Sequence, residues 1–185
     1  NTINTISGSL VNPVGIRLVN GVAATNGNVT GNTVSAITST FGGAGPCSGI
    51  QVGATATGGY TIARNNVFNV KNTNSGGWGA NGIQLSSSLA AANISVVNNF
   101  VSDVAANGFN GQSMDDNGYG IVLSAGGGYN VYYNTVLMNT DQVAGTGLPA
   151  AINIGSGLST PASVDLRNNI FANTQTVGTD RYAIT

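Results

Sequence analysis

The chain contains no histidine and no glutamate, and it has one lysine and one cysteine among 185 residues. Charged residues make up 6% of it, whereas an average soluble domain has about 25%. Because Cys47 is alone, an internal disulfide is excluded. The net charge of −1 and the lack of a basic cluster argue against nucleic acid or anionic lipid as a partner. No apolar run reaches the roughly 18 residues of a membrane-spanning helix, so membrane insertion is not expected.

Low charge combined with abundant Asn, Ser, Thr and Gly is typical of disordered chains. Here, however, 41% of the residues are hydrophobic, and they recur at fixed positions. We therefore expect one folded domain that covers residues 1–185. A surface with so few charges and one lysine is typical in composition of an extracellular or cell-surface protein, and this is the expected location.

A motif that ends a short apolar run with asparagine recurs along the chain, as in Ile62-Ala63-Arg64-Asn65-Asn66. The first Asn of each copy recurs at intervals of 33, 33, 36 and 34 residues. These are Asn32, Asn65, Asn98, Asn134 and Asn168. A second motif, Gly-Ile-x-apolar, keeps the same period. Its isoleucines are Ile16, Ile50, Ile83, Ile121 and Ile152. Two columns with one period indicate a solenoid.

Each repeat contains three short runs in which apolar residues alternate with polar ones, the pattern of strands with one buried face. The repeats are too short and too rich in Gly and Asn to hold a helix. We therefore predict an all-β fold: a right-handed, single-stranded parallel β-helix of five to six three-strand coils. Identical Asn side chains stacked about 4.8 Å apart can form a ladder of hydrogen bonds, because an amide both donates and accepts. The residues two positions later, Phe100 and Ile170 among them, are expected to point inward.

With its asparagine ladder and stacked apolar columns, the chain resembles the right-handed parallel β-helix proteins of the pectate-lyase-like superfamily. The resemblance covers nearly the whole chain and concerns the fold. It implies that catalytic members carry acidic groups with His, Lys or Arg on one outer face. This chain has no histidine, and its arginines Arg64 and Arg167 are three coils apart. The sequence therefore supplies no clustered catalytic set, and we lean towards a protein that is not an enzyme.

The adjacent acids Asp115 and Asp116 lie in the longest loop, between Asn107 and Asn117. They are weak candidates for a Ca²⁺ site, because two carboxylates rarely fill six or more oxygen positions. A solvated turn is the alternative, and no cofactor is expected.

The first and last strands are expected to lie at open, uncapped ends of the solenoid. Asn4-Thr5-Ile6 matches Asn32-Thr33-Val34, and Ala183-Ile184-Thr185 matches Ala151-Ile152-Asn153. Two explanations stay open: excision from a longer solenoid, or head-to-tail stacking of copies through Asn4, Ile6, Ala183 and Ile184. The function expected is a non-catalytic, structural or adhesive β-solenoid, which is able to form a filament. The alternative is a carbohydrate-binding or polysaccharide-cleaving module, with extracellular polysaccharide as the partner.

Overall fold

The computed structural model describes residues 1–19, 26–53, 58–76, 78–108, 116–158 and 160–185. Within these ranges the chain forms strands and no helix. The strands are β1 (Thr2–Gly8), β2 (Val14–Leu18), β3 (Gly27–Thr30), β4 (Thr33–Ser39), β5 (Cys47–Val52), β6 (Tyr60–Ala63), β7 (Asn66–Asn72), β8 (Ala80–Leu85), β9 (Ile94–Val97), β10 (Phe100–Ala105), β11 (Gly118–Ala125), β12 (Tyr129–Tyr132), β13 (Thr135–Met138), β14 (Ala150–Gly157), β15 (Val164–Arg167), β16 (Ile170–Asn173) and β17 (Tyr182–Ile184).

The strands build three parallel sheets, and every third strand along the chain joins the same sheet. Sheet A has the order β1-β4-β7-β10-β13-β16, sheet B the order β17-β14-β11-β8-β5-β2, and sheet C the order β15-β12-β9-β6-β3. The chain is therefore a parallel β-solenoid of about five turns with three strands per coil, as the sequence predicts. We number the coils from one (β2–β4) to five (β14–β16), so that β1 precedes coil one and β17 follows coil five.

The interior is a set of apolar columns that run along the solenoid axis. In sheet B the isoleucine column is confirmed: Ile50, Ile83, Ile121 and Ile152 pair in register and are fully buried. The glycine before each of Ile50, Ile83 and Ile121 is required by close packing, whereas Ala151 precedes Ile152. A Cβ on Gly49 would lie 2.7 Å from the carbonyl oxygen of Gly82 in the next coil and would overlap Val67 of sheet A. At this point the Val67 side chain of sheet A therefore packs directly against the glycine backbone of sheet B.

The turn from sheet C to sheet A carries the asparagine ladder. The Nδ2 group of Asn32 donates to Oδ1 of Asn65 (2.9 Å), and Nδ2 of Asn65 donates to Oδ1 of Asn99 (2.9 Å). Asn99 continues the ladder to Asn134 (2.9 Å). Asn1 donates to Asn32 at the first rung and Asn134 to Asn169 at the last, both at 3.0 Å. Most rungs also bond a main-chain carbonyl, as Asn99 does to Ile62 (2.9 Å), so buried turn groups are satisfied without water.

Two of the predicted ladder members are wrong. In coils three and five the ladder amides belong to the buried Asn99 and the half-buried Asn169, whereas Asn98 and Asn168 are exposed. The first Asn of each pair instead occupies a left-handed backbone position, with φ of 55° at Asn98 and 54° at Asn168. Asn tolerates this conformation better than most residues. An Asn-Asn pair thus satisfies two different demands of the turn, and its first member is not always the ladder member.

The predicted apolar column of sheet A is also wrong by one residue in coils three and five, for the same reason. Val101 pairs with Val67 and Val136, and all three are fully buried. Phe100 and Ile170, which the sequence placed inside, are 43% and 62% exposed on the outer face. Since alternate strand residues face opposite sides, a shift of one position exchanges inside for outside.

A third correction concerns the first strand. Asn1, and not Asn4, occupies the ladder position, because Thr2 pairs with Thr33 and Asn4 pairs with Ser35. Asn4 is exposed, and Ile6 pairs with Ile37 of the core. At the other end the predicted match is confirmed, since Ile184 pairs with Ile152.

The first prediction compares the two neighbouring asparagines of coil three. Asn99→Ala removes an amide that accepts from the main chain of Asn65 and donates to Ile62 and Asn134. We expect it to lower the free energy of unfolding by about 2 to 4 kcal/mol, because buried partners lose their bonds. Asn98→Gly is the matched control and should change little, because Gly31 holds the equivalent left-handed position with φ of 66°. Urea denaturation measures both, and equal losses would contradict the ladder assignment.

The second prediction concerns Cys47, which is fully buried at the start of β5 beside Ala80 of the next coil. Burial raises the pKa of its thiol from 9.0 to about 12. Between these values the unfolded chain loses the proton while the folded chain keeps it, so stability falls as the pH rises. The expected slope is about 1.4 kcal/mol per pH unit.

Cys47→Ala introduces the residue that coil three has at this position, Ala80, and should remove that part of the slope. Tyr129 leaves a residual alkaline loss, since burial also raises the pKa of its hydroxyl. Denaturation at pH 8, 10 and 11 gives the slopes, and identical slopes for both proteins would refute the assignment.

Candidate functional site

The described carboxylates on the outer faces are held by neighbours. Asp103 accepts Nζ of Lys71 at 2.9 Å and the hydroxyl of Thr140. Asp165 accepts Nε of Arg167 (2.8 Å) and the hydroxyl of Tyr132 (2.8 Å), and these bonds hold its pKa below the usual range. A carboxylate that is kept ionised by such bonds is a poor general acid.

Asp141 has a structural role between the last two turns. Its carboxylate accepts the side-chain hydroxyl of Thr176 at 2.7 Å, together with the main-chain N–H groups of Thr176 and Val177. These bonds, led by that from the Thr176 side chain, hold the pKa of Asp141 below its ordinary value. The carboxylate thus fastens the loop after β16 to the loop of the coil before it.

The loop that carries the candidate calcium ligands is only partly described. Asp115 lies outside the described residues. Asp116, just before β11, is 9% exposed, and its carbonyl oxygen accepts the N–H of Gly108 at 3.2 Å. Among the described residues, no group of three or more Asp, Glu, His or Cys lies close enough to hold a metal ion. The possible Ca²⁺ site stays a prediction.

Sequence reasoning missed a row of amides on the outer face of sheet B. Gln51 donates to Oε1 of Gln84 (3.1 Å), which also accepts the hydroxyl of Ser48 (3.0 Å). Beside them, Asn81 is 1% exposed and its Oδ1 has no partner, and the Oδ1 of Asn153 is also buried without one. Unpaired buried acceptors are uncommon. The residue after the motif isoleucine, Gln51, Gln84 and Asn153 in coils two, three and five, was the signal in the sequence, although coil four has Val122 there and Asn81 precedes the motif.

Trp78 joins two neighbouring loops beside sheet B. Its indole N–H donates to the carbonyl oxygen of Gly42, one coil earlier, at 3.0 Å. The polar edge of the ring is therefore engaged in holding the loops together.

The two ends of the solenoid have complementary edges. Within the described residues β1, β2 and β3 pair on one side only, and so do β15, β16 and β17 at the other end. The ladder has a direction, because each Nδ2 group donates to the Oδ1 of the next rung. Asn1 is therefore the acceptor end and Asn169 the donor end. Of the predicted assembly residues, Asn4, Ala183 and Ile184 are exposed on these end strands, and Ile6 is half-buried.

The fold and these edges define the class: a parallel β-solenoid with an internal asparagine ladder. Comparison with protein-family models, curated protein sequences and solved structures finds no match for this chain. Among the residues that the structure describes, no helix is long and apolar enough to cross a membrane.

The third prediction tests the metal candidates by thermal unfolding. We expect the same melting temperature in millimolar Ca²⁺ and in chelator, because two carboxylates rarely fill six or more oxygen positions. A rise in calcium that the Asp115→Asn/Asp116→Asn variant loses would instead identify a metal site, since a ligand stabilises the state that it binds.

Proposed function

We propose that this chain is a non-catalytic, extracellular structural and adhesive β-solenoid whose copies stack head to tail into a filament. The observation that carries the proposal is the directional ladder, whose donor end and acceptor end lie on opposite end faces. A hydrogen-bonded chain of this kind continues when the acceptor end of one copy meets the donor end of another.

The contact has a defined register. The Nδ2 group of Asn169 donates to Oδ1 of Asn1 in the next copy, and β1 of that copy pairs with β16. The inward column of sheet A then runs from Phe171 to Ile3, and that of sheet B from Ile184 to Ile16. Because the two surfaces differ and the contact does not close, the assembly is an open filament.

Two further observations support a role without catalysis. The described carboxylates Asp103, Asp141 and Asp165 are engaged in ion pairs or turns. The chain also has no histidine. The extracellular location rests on the low charge and the single lysine.

A second candidate function is a carbohydrate-binding or polysaccharide-cleaving module of the pectate-lyase-like kind. The half-buried amides of Gln51 and Gln84 on the outer face of sheet B favour it, since sugar hydroxyls form hydrogen bonds with such groups. The position of the ladder, in the turn between the second and third strands of each coil, supports a relationship with that superfamily. A glycan array with and without Ca²⁺ separates this candidate from the first.

The fourth prediction is that electron microscopy of the purified chain shows rods with an axial repeat of roughly 25 to 30 Å, which is five to six coils at the inter-strand spacing. Ile184→Lys should abolish the rods, because it places a charge in the apolar contact between copies. Ile184 is 49% exposed, so the monomer should still fold.

Asn66→Lys is the matched control, since it adds the same charge at an exposed position of coil two. Its rods should persist. A wild-type chain that stays monomeric at high concentration would refute the filament.

A further inference from the structure

The three sheets contribute unequal numbers of strands to a stack of copies. Among the described residues, sheets A and B have six strands each, whereas sheet C has five. When β1 pairs with β16 of the preceding copy, β2 comes to pair with β17 of that copy. The coil that the two copies share then has a strand in sheet A and a strand in sheet B, but neither copy supplies one to sheet C.

Each junction therefore has a gap in sheet C, and the gap has the width of one strand. Neighbouring strands of a sheet lie about 4.8 Å apart, so β15 of one copy and β3 of the next lie about 9.6 Å apart. We call the space between them the junction slot. Its two walls are too far apart to bond each other directly, and one extended chain fits between them.

The β15 wall of the junction slot presents main-chain groups to this space. On its other side β15 bonds β12, and the N–H of Tyr129 donates to the carbonyl oxygen of Ser163 at 2.9 Å. Alternate residues of a parallel strand direct their N–H and C=O groups to opposite neighbours. The main-chain groups of Val164 and Leu166 consequently face the slot.

The β3 wall is equivalent. The N–H of Gly27 donates to the carbonyl oxygen of Gly59 in coil two at 3.4 Å, so Gly27 faces its own copy. By the same alternation, the main-chain groups of Asn28 and Thr30 face the slot. Both walls are thus strand edges of the kind that an added strand pairs with.

The floor of the junction slot is apolar. Each strand of sheet C directs two apolar side chains, two residues apart, into the core. In coils three and four these side chains are fully buried: Ile94, Val96, Tyr129 and Val131. In coil five the corresponding Val164 and Leu166 are half-buried. A strand in the slot would cover them if it had apolar residues at the same two positions.

We propose that the junction slot binds a short extended segment of another protein, which joins sheet C as a parallel strand and is apolar at two alternate positions. The segment is four residues long, as β3 and β15 are. A longer strand is excluded, because Asn1 of the next copy holds the ladder position at the following turn. The proposal rests on the head-to-tail stacking proposed above and names a peptide partner for each junction.

The test is binding of a fluorescent peptide to wild-type rods, measured by co-sedimentation. The probe has the sequence of residues 93–97, Asn-Ile-Ser-Val-Val, with blocked ends. It is uncharged, because Asp165 and Arg167 of the β15 wall pair with each other at 2.6 Å. We expect saturation at about one peptide per copy. A peptide with serine in place of Ile94 and Val96 should bind at least about tenfold more weakly, because it buries less apolar area.

The matched variants change one residue of the β3 wall. Asn28→Pro removes a donor that faces the slot and leaves the bonds within the copy in place, since proline is tolerated on strand edges. It should weaken binding at least about tenfold. Asn28→Thr introduces the residue that coil two has at this position, Thr61, and should bind like the wild type. If Asn28→Pro forms no rods, wild-type rods are probed with the peptide N-methylated at its serine, for which the same loss is expected.

The axial repeat of the rods is an independent measurement. A slot at every junction requires six strand spacings per copy, about 29 Å, whereas a continuous sheet C requires five, about 24 Å. We expect the longer repeat, and density for an added strand between β15 and β3 when the peptide is present.

The proposal is overturned by a repeat of about 24 Å, by rods that do not bind the probe, or by Asn28→Pro rods that bind it like the wild type. It is also overturned if Ile184→Lys, which does not stack, binds the probe as tightly as the rods do, because a single strand edge would then suffice. These results leave the stacking of copies in place. Absence of wild-type rods would instead refute the stacking, and the slot with it.

Discussion

The asparagine ladder is the interaction on which the rest of this structure depends. The turns from sheet C to sheet A bury main-chain polar groups. An asparagine amide of the following coil satisfies these groups, because it both donates and accepts hydrogen bonds. Asn99, for example, accepts from Asn65 and donates to both Ile62 and Asn134. The ladder thereby sets the spacing between adjacent coils along the axis and the register of their strands. The apolar columns follow from this register, because a strand displaced by one residue would turn its core side chains outward.

Inward-facing and outward-facing positions of the coils differ in how much their residues vary. The inward positions repeat with small variation, as in the fully buried Ile50, Ile83 and Ile121. The outward positions vary freely, since a side chain there contacts its neighbours only in the adjacent coils. The ion pair of Lys71 and Asp103 joins one coil to the next, whereas that of Arg167 and Asp165 lies within one strand. Outer-face residues can therefore change without cost to the core, and the amides Gln51 and Gln84 of sheet B and the exposed Phe100 and Ile170 of sheet A lie on outer faces.

The strand pattern was predictable because it depends on local period. Alternation of apolar residues predicts the strands, and the recurrence of Gly-Ile-x-apolar predicts the length of a coil. Three strands in each coil then stack into three parallel sheets. The errors at Asn98 and Asn168 have one cause, whereas the match of Asn4 was wrong by three residues, since Asn1 holds the ladder position and Asn4 pairs with Ser35. A motif defined by its first Asn cannot separate the ladder position, which needs an amide, from the preceding left-handed position, which Gly31, Arg64 and Tyr133 also occupy. Only pairing with the neighbouring coil distinguishes them.

The sequence by itself determined the fold class, the number of coils and the identity of the isoleucine column, because each depends on a period that is written along the chain. Tertiary structure decided which amide of each Asn pair is buried and that Phe100 and Ile170 point outward. It also decided that the Oδ1 atom of Asn81 is left without a partner and that Asp165 accepts the hydroxyl of Tyr132. These features depend on which residues of successive coils are stacked, and residues more than 30 positions apart in the chain meet only after the coils have closed.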